Sequence, residues 1–171
     1  MLCVVEIRAR RNSDLADLAE VAGRVHAADN YPIFLPDGDL IAFLTRPASI
    51  AAWVCVRDDE LIGHVALNDT TSRPVMELVE ASQPEMTPCY LARLLVDPSS
   101  RGDGAGGLLL EHARQAALRA GRSLFLDVVN TPTSTAAISL YRTAGWDEMG
   151  RVRFDLAGEE LEELVLRAPI G

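Results

Sequence analysis

Hydrophobic and polar positions divide this chain into short elements of alternating type. Cys3–Arg8 predicts a first strand. Asn12-Ser13 can cap a helix with Asp14 and Asp17 in its first turn, and Leu15, Leu18, Ala22 and Val25 recur at helical spacing on one face. His26–Pro32 reads as a loop, and a short helix over Asp39–Thr45 ends before Pro47. Ala51–Arg57 and Leu61–Asn68 are apolar runs joined by Asp58-Asp59-Glu60, which predicts a hairpin. Thr70–Pro88 is the least regular region, with a helical turn at Met76–Ala81. Ser123–Val129 reads as a strand and Thr135–Ala144 as a helix stopped by Gly145. Trp146–Arg153 and Leu161–Ala168 read as closing strands around a turn at Ala157-Gly158.

Tyr90–Gly121 organises the rest. The apolar run Leu91–Val96 is halted by Asp97-Pro98, followed by Arg101-Gly102-Asp103-Gly104-Ala105-Gly106-Gly107 and an amphipathic run to Gly121. This is a strand, a glycine-rich turn and a helix, with Leu108, Leu109, Ala113, Ala116, Ala117 and Ala120 expected on the buried side. The helix start offers unpaired N–H groups and a positive dipole end, which suit a phosphate. A Walker loop is excluded, because Leu108 stands where that motif needs lysine. Gly102, Gly104 and Gly107 match the dinucleotide spacing, but Pro98–Arg101 separate them from the strand end. The right-handed crossover rule places Ser123–Val129 parallel to Leu91–Val96.

The third pattern, Arg-x-x-Gly-x-Gly, is met by Arg101, Gly104 and Gly106. Together with Arg93–Pro98 before it, it resembles the coenzyme A-binding motif of the GNAT-superfamily N-acetyltransferases. Ala136–Tyr141 with Ala144-Gly145-Trp146 resembles the later helix of that family, which carries its tyrosine. The likeness is strongest from Cys89 to Gly150. It implies a single domain over residues 1–171 of the α/β (α+β) class. Its sheet is mixed and mostly antiparallel, with a splayed parallel strand pair and helices on both faces, in the order β-α-α-β-β-β-α-β-α-β-β.

Composition narrows the picture. A chain of 171 residues, 49% hydrophobic, suits one compact core. A net charge of −9 argues against nucleic acid or acidic membrane as a partner and tolerates a cationic acceptor. No stretch reads as a signal peptide or a bilayer span, so the expected location is the cytoplasm. Cys3, Cys55 and Cys89 indicate neither a disulfide framework nor a zinc site, and His26, His64 and His112 are too scattered for a metal.

The resemblance implies direct transfer of acetyl from acetyl-CoA to an amine of a small molecule or protein, without a covalent enzyme intermediate. It implies that backbone groups of Leu94, Leu95 and Val96 hold the pantetheine arm and the acetyl carbonyl, and that the amides of Arg101, Gly102, Asp103, Gly104, Ala105 and Gly106 hold the pyrophosphate. Ser134, Ala137 and Tyr141 share one helical face, with Ala137 leaving room for the cofactor and Tyr141 as the proton donor. The family commonly has asparagine seven residues before that tyrosine; here the position is Ser134, with Asn130 four residues earlier. Ser134 can cap the helix. Tyr90, His64, Glu77, Glu80 and Glu85 are open alternatives for a base. The resemblance also places Asp29–Thr45 and Asp69–Pro88 on the acceptor side. A non-catalytic acyl-CoA sensor with the same fold is the alternative reading, and a homodimer stays open.

Overall fold

The computed structural model describes residues 4–46 and 49–171. The proposed strand start at Cys3 and helix stop at Pro47 lie outside them. Seven strands form one sheet in the order β1-β2-β3-β4-β5-β7-β6: β1 (Val5–Ala9), β2 (Ser49–Arg57), β3 (Glu60–Asn68), β4 (Pro88–Val96), β5 (Ser123–Val129), β6 (Asp147–Leu156) and β7 (Glu159–Arg167). All neighbours run antiparallel except β4 and β5, which are parallel. The helices are α1 (Leu15–Asp29), α2 (Leu40–Leu44), α3 (Arg73–Ser82), α4 (Ala105–Arg119) and α5 (Thr135–Thr143).

Alternation along the strands sends successive side chains to opposite faces. On β5, Leu124 and Leu126 join the cluster under α4 and α5, whereas Phe125 packs with Val75 and Val79 of α3. On β4, Leu91 faces α4 while Leu95 meets Leu18, Val21 and Leu44 of α1 and α2. Thus α4 and α5 cover one face, and α1, α2 and α3 the other. Burying leucines such as Leu109 and Leu110 contributes about 1.5–3 kcal/mol each to this packing.

Four local expectations change. His26–Asp29 are helical, because Asn30 takes the left-handed C-cap position (φ 54°) and lets α1 run a turn further. Its entry is organised by Asp14, not by a cap from Asn12 or Ser13. The buried Asp14 carboxylate accepts from the Arg11 amide at 2.7 Å and from Arg8 at 2.8 and 2.9 Å. The irregular region contains a ten-residue helix, α3, which adds an element to the expected order. Pro74 fits its first turn, and Val75 and Val79 anchor it. On α4, Leu110 is buried while Leu108 and Ala120 are exposed, so the apolar stripe is rotated from the expected one.

The decisive feature lies between β4 and β5. They pair only where Pro88–Tyr90 meet Ser123–Phe125. Beyond Tyr90 the strands part. At the same level β4 is bulged against β3: His64 faces Leu95 and Ala66 faces Ala92, so Val65 alone opposes Arg93 and Leu94. Arg93 has φ +52°, a left-handed conformation in the middle of a strand.

Candidate active site

The V opened by this parting is bordered at one end by the glycine-rich turn. Gly102 (φ +89°) and Gly104 (φ +84°) occupy conformations that disfavour side chains, and Gly104 caps α4. A Cβ on either would meet no protein atom within 4 Å. Gly106 lies inside the first turn, where a Cβ would stand 3.2 Å from Leu140 and 3.5 Å from Val96. The turn therefore combines open space above the backbone with close packing beneath it. The first-turn amides of α4 point out of the helix N-terminus, a donor arrangement matched to a phosphate.

Charged side chains around the turn brace it. Asp97, buried at the end of β4, accepts from Ser99 and from Arg24 of α1 at 2.6 and 2.8 Å. Arg101 clamps Asp29 at the end of α1 at 2.5 and 3.1 Å and donates to the Val96 carbonyl at 3.3 Å. Asp103 accepts from Arg57 at 3.0 Å. The side chains of Arg101 and Asp103 are thus engaged with the protein, leaving the backbone amides as the free donors.

Tyr141 approaches from the α5 face. Its ring is 7% exposed and packs against Trp146 at 6.0 Å. Burial, joined by the nearby Tyr31 phenol and Asp127 carboxyl, pushes its pKa up, so it holds its proton at neutral pH. Ala137 and Leu140 pack beside it against the same core. Ser134 precedes α5 but makes no capping hydrogen bond; its hydroxyl meets that of Thr131 at 3.0 Å. Asn130 donates to the Glu162 carboxylate at 3.2 Å and to the Glu162 carbonyl at 2.8 Å, which ties it to β7.

The opposite face carries a carboxyl pair that sequence reasoning missed. Asp127 of β5 and Glu163 of β7 project to the same side from diagonal positions of the paired strands, and Thr71 donates to Asp127 at 2.9 Å. Burial followed by the neighbouring carboxyl raises Glu163 to about 7, and burial raises Asp127 as well. The sequence signal was slight: one acidic residue inside apolar Ser123–Val129, and one of four glutamates in Glu159–Arg167. Tyr31 lies nearby, its ring edge-on to Phe43 at 5.9 Å, its phenol beside Arg93 and pushed up to about 12 by burial.

The five base candidates are not brought together. Glu77 is exposed and paired with Arg73 at 2.7 Å; Glu80 and Glu85 are exposed. Tyr90 is buried against Phe125 at 6.3 Å, with its pKa raised by burial. His64 is fully buried and held by Arg93 and Arg10. Cys55 and Cys89 are buried thiols whose pKa values burial raises, Cys89 to about 11, the reverse of an activated nucleophile. Among the described residues no His, Cys, Asp and Glu cluster could hold a metal ion.

Residues 20–146 match the acetyltransferase (GNAT) family. The chain belongs to this family. Family membership makes it an acyltransferase that uses acetyl-CoA. Solved structures agree in fold. The ribosomal-protein-S18-alanine N-acetyltransferase of Escherichia coli superposes with a TM-score of 0.68 at 19% identity, covering 98% of this chain and 94% of that one. NAA60 of Arabidopsis thaliana, in complex with a bisubstrate analogue, gives 0.70 at 19% identity, over 96% and 97%. The ribosomal-protein-alanine N-acetyltransferase of Brucella melitensis gives 0.67 at 19% identity, over 96% and 99%. No curated protein matches the chain significantly. Among the described residues no helix is long and apolar enough to cross a membrane.

Proposed function

We propose that this GNAT acetyltransferase carries acetyl from acetyl-CoA directly to a primary amine while both are bound. The observation that carries the reading is the V itself. One strand leaves its partner beside a helix N-terminus, with a protonated phenol entering from one face and a carboxyl pair from the other.

In this reading the amides of Arg101, Gly102, Asp103, Gly104, Ala105 and Gly106 bind the pyrophosphate. Gly102 and Gly104 supply the clearance, and the tight packing of Gly106 fixes the helix end. Backbone groups of Leu94, Leu95 and Val96, released from β5, orient the pantetheine arm and polarise the acetyl carbonyl. Ser134 and Ala137 line the α5 side.

The reaction needs a neutral amine, and an ammonium enters at neutral pH. The Asp127–Glu163 pair takes that proton. The nitrogen then forms a bond to the carbonyl carbon as the carbon–sulfur bond breaks, and Tyr141 gives its proton to the departing sulfur. The second proton lost by the nitrogen returns to the Tyr141 phenolate, leaving a neutral amide and thiol. General acid and base groups of this kind are each worth about 10²–10⁴ in rate. A carboxyl pair also favours cationic acceptors over anionic ones.

The test is a panel of amine acceptors, small molecules and peptides, followed by thiol release with acetyl-CoA. Amine-dependent release with an acetylated product supports the reading. Acetyl-CoA binding without turnover on any amine overturns it.

A further inference from the structure

His64 is a histidine that the chemistry above does not use, yet it is fully buried and doubly engaged. Its Nδ1 lies 2.8 Å from the carbonyl oxygen of Arg93, the residue at the bulge. A carbonyl only accepts, so Nδ1 carries the hydrogen and Nε2 is the lone-pair nitrogen. Arg10 Nη1 lies 3.2 Å from that Nε2 and donates to it. Arg10 Nη1 also donates to the Leu44 carbonyl at the end of α2 at 2.5 Å. Both ring nitrogens are thereby satisfied in a neutral imidazole, in keeping with burial pulling its pKa down to about 4.

The partner explains the need. A bulge inserts a residue whose backbone groups fall out of the ladder with the facing strand. On the other side β5 has already separated, its pairing ending at Tyr90. The Arg93 carbonyl therefore has no strand on either side to take over from His64. A buried carbonyl left unpaired is costly, and so is a left-handed arginine. The competing state is a regular β4 without the bulge. Removing it shifts the register by one residue and sends each side chain of Leu94–Val96 to the opposite face. The Arg93 side chain adds a second tie, donating to Asn68 at 2.7 Å, to Ser49, and to the Phe43 carbonyl at 3.4 Å.

We propose that His64 is a positioning residue: its Nδ1–H, clamped on the Arg93 carbonyl and backed by Arg10, holds the β4 bulge in the register that presents Leu94–Val96 to the acetyl group. The proposal rests on the transfer reading for its kinetic consequence, though not for its structural one. His64 itself touches no reacting atom. Because Arg10 also holds the end of α2, the bulge and the acceptor-side helix are fastened to the same imidazole.

Three variants separate the two nitrogens. In His64→Asn the amide nitrogen falls near the Nδ1 position and keeps the donor, while His64→Gln places its amide near Nε2 and His64→Leu supplies neither. Two readouts are needed: kcat with acetyl-CoA and an amine, and hydrogen exchange of the Arg93–Val96 amides in the free protein. The expected result is an asparagine variant within about threefold of the parent in kcat. The glutamine and leucine variants should fall about tenfold or more. Amides of the bulge should exchange faster in those two alone. Coenzyme A affinity should stay within about twofold throughout, since the glycine-rich turn is untouched. Should His64→Leu fail to fold, the asparagine–glutamine contrast decides. Equal behaviour of the asparagine and glutamine variants overturns the proposal, as does altered exchange with unaltered kcat. If the parent acetylates no amine, the transfer reading falls by itself. The exchange pattern then still upholds or refutes the clamp.

Discussion

Gly106 and Leu140 are in contact across the helix pair: a Cβ on Gly106 would stand 3.2 Å from Leu140 Cδ2. This glycine of the glycine-rich turn is thus also the seat of the helix that carries Tyr141. A bulky residue at 106 would move both parts of the site, which makes Gly104 the cleaner probe.

At Gly104 the backbone has φ +84° and the space outside is empty. Gly104→Val strains the turn and places methyl groups in the open space that the proposed reading gives to the pyrophosphate, while meeting little protein. Acetyl-CoA affinity should fall by roughly 2 kcal/mol or more, about thirtyfold, with the fold retained. Calorimetry checks this; unchanged affinity in a folded variant would remove the turn from the cofactor site.

Tyr141→Phe keeps the packing against Trp146 and deletes only the hydroxyl. We expect kcat to drop about a hundredfold, the lower end for a lost general acid, because the coenzyme A thiol is fairly acidic. Acetyl-CoA binding should barely change. Turnover within about threefold of the parent, with chemistry rate-limiting, would make Tyr141 a packing residue.

The carboxyl pair has a pH signature. As the proposed base it must lose a proton before it can take one from the acceptor, and Glu163 is raised to about 7. The acid limb of kcat/KM should therefore rise through neutrality. Glu163→Gln removes the neighbouring carboxyl that helps hold the pair protonated, so the limb should move to lower pH by roughly one unit. Asp127→Asn should lower kcat by about 10²–10⁴. A limb that stays in place in both variants assigns the base elsewhere.

Tyr31 is 38% exposed, its phenol beside Arg93 and Asp127, in the segment the proposed reading gives to the acceptor. Tyr31→Ala should raise the KM of the acceptor several-fold and leave that of acetyl-CoA unchanged. Steady-state kinetics with each substrate varied separates the two; the reverse pattern would move the acceptor to another wall.

Buried His64 also makes stability depend on pH. Its pKa is lowered from 6.5 to about 4 by burial, with Arg10 and Arg93 as the facing cations. Its contribution is full above pH 6.5 and is lost as pH falls through 4, by about 3 kcal/mol in all. Denaturant unfolding at pH 7 and pH 4 should show that loss in the parent and much less of it in His64→Asn. Asp14 and Asp97, whose pKa values are lowered, weaken over an acid range equally in both proteins. Equal acid losses in parent and variant would show that His64 is not the titrating group.

Sequence alone determined the parts of this protein that depend on neighbours along the chain. Glycines at 102, 104 and 106 before an amphipathic run specify the turn and helix, because backbone freedom and helical periodicity are local properties. The hairpin of β2 and β3 was legible for the same reason, as were the crossover that makes β5 parallel to β4 and the tyrosine helix. Only tertiary structure decided the rest. Arg93 carries no mark of a left-handed bulge in its sequence; that conformation persists because His64, twenty-nine residues away, takes up its carbonyl. Nothing in the sequence singled out Asp127 and Glu163 as a pair; strand pairing laid β5 beside β7 and brought the two half-buried carboxyls to one side. Asp14, expected in the first turn behind an Asn12-Ser13 cap, instead forms a buried pair with Arg8. In each case the outcome hangs on which distant group satisfies a buried polar atom, a matter of three-dimensional proximity that no local pattern encodes.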